Sequence, residues 1–209
     1  GGATVSHGLS QTPGFFFIAR RNVTNGNYYD AWHSGYYVSG SKNYMRLRTK
    51  DAAGYASDMF QTPTSSVVTL GSSSSMNGSG DNYTLYCWHD VPGLQKFGKY
   101  TGNGSSDGVY VELGFRPAVL MVKPNKASTN WYLVDSTRSD INPADNNLYI
   151  SEDLAEDADN ADRRFDFLSS GFKLRASNQH SNESGTSYIY MAWAEAPASN
   201  LFGGQSNAR

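Results

Sequence analysis

The feature of this sequence that most constrains its fold is an internal repeat with a period of about 104 residues. It is clearest in residues 83–92 and 188–197, where Tyr, Trp, an acidic residue and Pro recur at identical spacing. Further upstream, a proline-marked turn, a fully apolar stretch and a cation occur in residues 9–20 and again in residues 113–123. The matches keep their order over the whole unit, which predicts two copies of one structural unit.

A polar stretch at residues 99–108, rich in Gly, Asn and Ser, lies between the two copies. Such a composition is typical of a loop or linker. The chain of 209 residues suits two domains of about 100 residues each. We therefore place the boundary near residue 103, which gives units 1–103 and 104–209.

Composition favours short strands joined by many turns. Gly, Ser, Asn and Thr make up 77 of the 209 residues, beside 28 aromatic residues that a disordered chain would lack. Residues 15–19, 83–88, 119–123 and 188–193 have apolar residues on both faces, which is typical of strands central to a sandwich. The predicted fold is all-β, with two tandem, internally duplicated β-sandwich domains of a jelly-roll-like kind.

Several classes of protein are disfavoured. A net charge of −2 argues against nucleic-acid binding. No apolar run approaches the roughly 18 residues of a membrane span, so we expect no membrane insertion. The single cysteine, Cys87, excludes a disulfide framework. No phosphate-binding loop is present, and we expect no cofactor. The chain starts at Gly1 without Met, so we expect a fragment or a processed product.

Cys87 and His89 stand two residues apart on a predicted strand, as a nucleophile and its base would. The alternative is a small thiol in the core near the end of a strand. The repeat favours this alternative, because Cys87 aligns with Ala192 and His89 with Ala194.

The run at residues 151–162 contains six acidic side chains. Its oxygens could hold calcium, which takes six to eight of them, or could provide a carboxylate pair for glycoside hydrolysis. The run lacks the EF-hand pattern, and a run of charge is usually a solvated surface. We favour a solvated loop, and predict neither a metal site nor catalytic residues.

Five segments resemble short sequence motifs that are common in virion proteins of tailed phages. They are residues 96–108, 114–118, 167–175, 188–195 and 206–209. Together they are similar to the tandem β module found near the C-termini of phage tail fibres and related appendage proteins. The resemblance covers nearly the whole chain and is strongest from residue 83 onward. It implies a location in the virion, contacts with other virion proteins and a homotrimer, and it provides no catalytic motif.

The expected function is therefore structural or adhesive rather than enzymatic. The leading hypothesis is a tail-fibre or capsid-fibre module that contacts a host-surface glycan. Two alternatives stay open, namely a tailspike-like polysaccharide hydrolase and a capsid decoration or spacer.

The predicted ligand contact lies in the loop at residues 33–41, through His33, Tyr36 and Tyr37. The aligned stretch of the second copy, residues 136–146, has no aromatic residue, so the fold does not require tyrosines there. Tyrosine combines a rigid apolar face with a hydroxyl, as recognition of a sugar ring requires. The alternative is that both tyrosines pack beneath the loop or in an oligomer interface.

Overall fold

The computed structural model describes residues 2–22, 29–36 and 43–195. The prediction of an all-β fold is confirmed, since 40% of the chain is strand and 4% is helix, with the strands arranged in several sheets as in a β-sandwich. Within the described ranges, no helix is long and apolar enough to cross a membrane.

In the described residues, the regular structure consists of fifteen strands, one 3₁₀ turn and one helical turn. In chain order they are β1 (Thr4–Ser6), β2 (Phe15–Arg20), β3 (Asp30–His33), the 3₁₀ turn (Ser34–Tyr36), β4 (Asn43–Arg46), β5 (Gly54–Tyr55), β6 (Val67–Thr69), α1 (Ser74–Asn77), β7 (Tyr83–Trp88), β8 (Gln95–Thr101), β9 (Tyr110–Glu112), β10 (Pro117–Pro124), β11 (Tyr132–Asp135), β12 (Asn147–Tyr149), β13 (Phe165–Leu168), β14 (Gly171–Leu174) and β15 (Ser187–Ala194). The strands predicted at residues 15–19, 83–88, 119–123 and 188–193 are all present.

The strands that the structure describes form two large and two small sheets. The first large sheet has the order β5-β4-β3-β2-β7, and the second has the order β12-β11-β10-β15-β8. The small sheets are β1-β6 and β13-β14-β9. The paired strands are antiparallel throughout.

Corresponding strands of the two large sheets pair in corresponding registers. β2 lies between β3 and β7, and β10 lies between β11 and β15. Trp88 of β7 pairs with Phe15, and Trp193 of β15 pairs with Val119. The two tryptophans therefore stand at matching positions in the two sheets.

The large sheets have apolar residues on both faces because each face is covered. Phe16 and Ile18 of β2 point into an outer cluster with Val68 of β6, whereas Phe15 points to the other side. This follows from the alternation of side chains along a strand. In the second half, Leu120 of β10 packs with the small sheet in a similar outer cluster.

The inner faces of the two large sheets share one cluster, which we call the central layer. Its buried members come from both halves of the chain: Phe15, Ala31, Tyr36, Met45, Leu47, Phe97, Met121, Trp131, Ile189 and Met191. Small sheet, large sheet, central layer, large sheet and small sheet thus follow one another across the molecule.

The pairing of β8 differs from the expectation set by a boundary near residue 103, which is that β8 pairs with strands of residues 1–103. It precedes that boundary, yet it pairs along its whole length with β15, from Gln95 opposite Trp193 to Thr101 opposite Ser187. Tyr100 stacks on Tyr188 with ring centroids 4.9 Å apart. β8, which the sequence analysis assigns to residues 1–103, is therefore an edge strand of the second large sheet.

Trp131→Ala is expected to lower the free energy of unfolding by about 3–5 kcal/mol, as truncation of a large core aromatic does. Trp131 is fully buried in the central layer, and its indole Nε1 donates to the carbonyl of Arg46 in the other half at 3.0 Å. Urea denaturation followed by circular dichroism measures the change.

Ile141→Ala is the control, because this side chain is 76% exposed and its loss should change the stability by less than about 0.5 kcal/mol. If Trp131→Ala and Ile141→Ala lowered the free energy of unfolding equally, the claim that the central layer holds both halves together would be contradicted.

Candidate functional site

The structure places the predicted ligand residues at the junction of the two large sheets. His33 ends β3, and Tyr36 ends the 3₁₀ turn that follows it. Tyr37 lies outside the described residues, so its predicted role stays a prediction.

His33 is buried, with an exposed fraction of 2%. Its Nε2 lies 3.1 Å from the carbonyl oxygen of Tyr190, and its Nδ1 accepts a hydrogen bond from the N–H of Gly35 at 2.9 Å. These partners require a neutral ring with its proton on Nε2. Burial lowers the pKa of His33 to about 4, although the hydrogen bond to Tyr190 opposes this shift. The ring links the two sheets and is shielded from solvent.

Tyr36 is also buried, with an exposed fraction of 7%. Its hydroxyl donates to the carbonyl oxygen of Lys123 at 2.9 Å, and its ring belongs to the central layer. Burial raises the pKa of this phenol far above its ordinary value. His33 and Tyr36 are thus both shielded from solvent, and their predicted contact with a ligand stays a prediction.

The physical reason is the close approach of the 3₁₀ turn to the second sheet. A Cβ on Gly35 would lie 2.9 Å from the Ile189 side chain and 3.1 Å from Cβ of Lys99, so only glycine fits there. This contact turns Tyr36 inward, where its ring fills the central layer. The sequence alternative in which the tyrosines pack beneath the loop describes Tyr36 correctly.

A polar cleft of about 300 Å³ opens beside this turn. Segments from both halves of the chain line it: Gly35, Tyr36, Asn43, Ala53, Gly54, Tyr55, Lys99, Asn125 and Ser187. The side-chain amide of Asn43 donates to the carbonyl of Tyr36. The backbone N–H of Ala53 donates to Oδ1 of Asn125 at 3.0 Å, which ties the two walls together.

The accessible chemistry of the polar cleft comes from residues that the sequence analysis did not select. Tyr55 is 64% exposed, and Lys99 and Asn125 are exposed beside it. The three residues lie on β5, β8 and the turn after β10, far apart in the chain. No local pattern in the sequence brings them together, because only the packing of one large sheet on the other does so.

A second cleft, of about 450 Å³, lies on the same side of the first large sheet and is more aromatic. Tyr86 is 40% exposed and stacks on Phe17 with centroids 4.7 Å apart. The guanidinium carbon of Arg48 lies 6.0 Å from the centroid of the Tyr29 ring. Ile150 of the other half closes one side.

Cys87 is half-buried on β7, whereas Ala192, which the repeat aligns with it, is fully buried. Cys87 packs against the first outer cluster, and burial raises the pKa of its thiol to about 11. That shift is opposite to the one that activates a cysteine nucleophile. Nδ1 of His89 lies 2.7 Å from the carbonyl of Asp90.

The acidic run is a loop, as predicted, with several carboxylates in ion pairs. Glu152 pairs with Lys50, and Asp157 pairs with Arg163 at 3.4 Å. Glu152 also accepts a hydrogen bond from Asn130 at 2.9 Å. Within residues 2–22, 29–36 and 43–195, no three His, Cys, Asp or Glu side chains are grouped so as to hold a metal ion.

Comparison with known proteins adds one match. A family model described as a domain of unknown function, DUF7483, matches residues 1–197. No curated protein and no solved structure matches the chain.

The stability of the protein is expected to fall as the pH is lowered from 6.5 to 4. In this window the unfolded chain binds a proton at His33, whose ordinary pKa is 6.5, whereas the folded chain does not until about pH 4. Protonation of His33 in the unfolded chain should therefore lower the free energy of unfolding by about 3 kcal/mol between pH 6.5 and pH 4. Urea denaturation at a series of pH values measures the slope.

His33→Gln should remove this part of the pH dependence, because glutamine does not titrate. A variant with the same slope as the unsubstituted chain between pH 6.5 and 4 would contradict the assignment to His33.

Proposed function

We propose that this chain, which belongs to the DUF7483 family, is a virion appendage module that binds a host-surface polysaccharide. The module would be a segment of a tail fibre or a capsid fibre. Its resemblance to phage tail-fibre modules supports the location in the virion, and the chemistry of the polar cleft supports the ligand.

The proposal includes a tandem duplication with its boundary near residue 103. Its support is the shared strand order, in which β4-β3-β2-β7 corresponds to β12-β11-β10-β15. The small sheets correspond as well, since Ser6 pairs with Val67 and Glu112 pairs with Gly171. Each unit is then a jelly-roll-like sandwich in which a large sheet packs on a small one.

The exposed ring of Tyr55 beside two polar side chains is the observation that carries the proposed ligand class. A tyrosine ring packs against the C–H face of a sugar, and its hydroxyl meets the polar rim. Asn125 offers both a donor and an acceptor to neighbouring hydroxyls, as side-chain amides do. The ammonium of Lys99 favours an acidic sugar. All three are exposed side chains on strands or turns of a rigid β scaffold.

Hydrolysis of the polysaccharide is the alternative activity. It requires two carboxyl groups about 5 to 9.5 Å apart at the bound sugar. The side chains described around the polar cleft include no carboxylate, so we derive no hydrolytic step from it. Release of oligosaccharides from a host polysaccharide would favour the hydrolase.

The proposed assembly is a homotrimer in contact with other virion proteins. Closed symmetry is the general expectation for identical chains. Light scattering coupled to size-exclusion chromatography measures the mass, and a monomer at micromolar concentration would contradict a trimer formed by this chain alone.

Tyr55→Ala and Lys99→Ala are each expected to weaken polysaccharide binding about tenfold, which corresponds to about 1.4 kcal/mol. The reason is the loss of the stacking face in one variant and of the cation in the other. A glycan array identifies a ligand, and biolayer interferometry measures the dissociation constants.

Tyr110→Ala is the matched control, because Tyr110 is an exposed tyrosine on the small sheet of the other half, 43% exposed. Binding that is unchanged in both cleft variants would remove the polar cleft from the site. An array without hits would instead favour a decoration or spacer.

A further inference from the structure

The second cleft, which we call the aromatic cleft, lies where the central layer reaches the surface. Its floor includes Phe17 and Tyr29, which pack against the edge of the central layer, and the ring of Tyr86. Side chains alternate along β2, so Phe17 faces the second large sheet, as Phe15 does. Phe15 is buried whereas Phe17 is half-buried, so the cover that the second sheet provides ends between these two residues.

Comparison of the two halves shows that packing does not require an aromatic ring at position 86. The repeat aligns Tyr86 with Met191. The two residues hold matching places, since Tyr86 pairs with Phe17 of β2 and Met191 pairs with Met121 of β10. Met191 is fully buried, whereas Tyr86 is 40% exposed. The ring of Tyr86 is therefore accessible to a ligand.

The rings around Phe17 form one continuous aromatic surface. Tyr86 stacks on Phe17 with centroids 4.7 Å apart and an interplanar angle of 24°. Trp88 stacks on Phe17 at 5.8 Å, and Tyr29 meets it edge to face at 6.3 Å. Because Phe17 contacts all three rings, the surface is ordered before a ligand arrives, which lowers the entropic cost of binding.

Two exposed arginines border this aromatic surface, and backbone pairing fixes where each side chain begins. The N–H of Arg21 donates to the carbonyl of Asn82 at 2.7 Å, which extends the pairing of β2 with β7 by one residue. The N–H of Leu47 donates to the carbonyl of Tyr29 at 3.2 Å, and Arg48 follows in the chain. Both arginines line the aromatic cleft.

The distribution of charge favours a negatively charged ligand. The carboxylates of this region, Glu152 and Asp153, line a neighbouring cleft that shares Arg48. Glu152 forms an ion pair with Lys50 and accepts a hydrogen bond from Asn130 at 2.9 Å. The described side chains that line the aromatic cleft itself include two cations and no carboxylate, so its potential attracts anions.

A uronic acid has the chemistry that this combination recognises. A guanidinium group presents a planar fork of N–H donors that matches the two oxygens of a carboxylate. A tyrosine ring packs against the C–H face of a sugar. In a uronic acid the carboxylate is attached to the edge of such a ring, and the cleft volume of about 450 Å³ lies within the usual range of ligand pockets.

We propose that the aromatic cleft is a second contact for the polysaccharide and binds its uronic-acid units. The sugar ring lies on Tyr86, and its carboxylate meets the guanidinium groups of Arg21 and Arg48. This inference rests on the proposed binding of a polysaccharide, and it specifies the chemical class of the chain. Lys99 of the polar cleft favours the same class, so both clefts select an acidic polymer.

Isothermal titration calorimetry with defined oligosaccharides tests the ligand class. The probes are short oligomers of glucuronate, galacturonate and mannuronate, each compared with its carboxyl-reduced, neutral form. At least one acidic oligomer should bind at least about tenfold more tightly than its neutral form, and added salt should reduce this preference. Absence of binding by all of the acidic oligomers would overturn the proposal. Equally tight binding of an oligoglutamate of the same charge would also overturn it, because charge alone would then suffice.

Substitution of the arginines tests the place of binding. Arg21→Gln and Arg48→Gln should each weaken binding of the acidic oligomer at least about tenfold and should diminish the preference over the neutral form. Arg175→Gln is the matched control, because it removes the same charge from an exposed position directly after β14. Equal losses in all three variants would reduce the effect to net charge and overturn the site.

Substitution of Tyr86 tests the aromatic contact separately. Tyr86→Phe keeps the ring and should retain binding, whereas Tyr86→Ala should weaken binding of the acidic oligomer at least about tenfold. Circular dichroism verifies that Tyr86→Ala is folded. Binding that is unchanged in Tyr86→Ala, or lost equally in Tyr86→Phe, would overturn the role of the ring as the sugar platform.

The variants also separate this inference from the proposed function on which it rests. Binding that is lost in Tyr55→Ala but unchanged in Arg21→Gln and Arg48→Gln would overturn the aromatic cleft and leave the polar cleft as the site. Binding of neutral oligosaccharides alone would overturn the acidic class and leave the proposed polysaccharide binding intact. Absence of binding to any glycan would contradict both.

Discussion

The packing of the two large sheets against each other is the interaction on which the rest of this structure depends. The central layer is buried only when both halves are present, because Phe15 and Met45 come from one half and Met121, Trp131 and Ile189 from the other. Each large sheet is therefore apolar on both faces, with one face on its small sheet and one on its partner. A half alone would expose its inner face to water, at a cost that grows with the apolar area.

Polar groups buried at this junction fix how the sheets meet. The indole of Trp131 reaches the carbonyl of Arg46, His33 reaches that of Tyr190, and the hydroxyl of Tyr36 reaches that of Lys123. Each is a hydrogen bond from one half to the other within an apolar layer, where an unmade bond is expensive. The apolar layer provides the attraction, and these directional bonds select one arrangement of the two sheets.

The surface chemistry of the molecule follows from the same junction. The polar cleft exists because the 3₁₀ turn, β5 and β8 meet where the sheets are joined, so its walls come from both halves. The crossing of β8 to β15 covers one sheet edge and leaves the edge of β7 open among the described strands. The polar cleft and the open edge of β7 are thus two consequences of how the halves pack.

The sequence by itself determined the central strands and their all-β class, because these follow from the local apolar pattern. It also identified Tyr36 and His33 as unusual, but their burial was decided by tertiary structure, through the contact of Gly35 with Ile189. The cleft around Tyr55 and the pairing of β8 with the other half depend on contacts between residues distant in the chain. Local patterns report which face of a strand is apolar, whereas only the assembled fold decides which surface covers it.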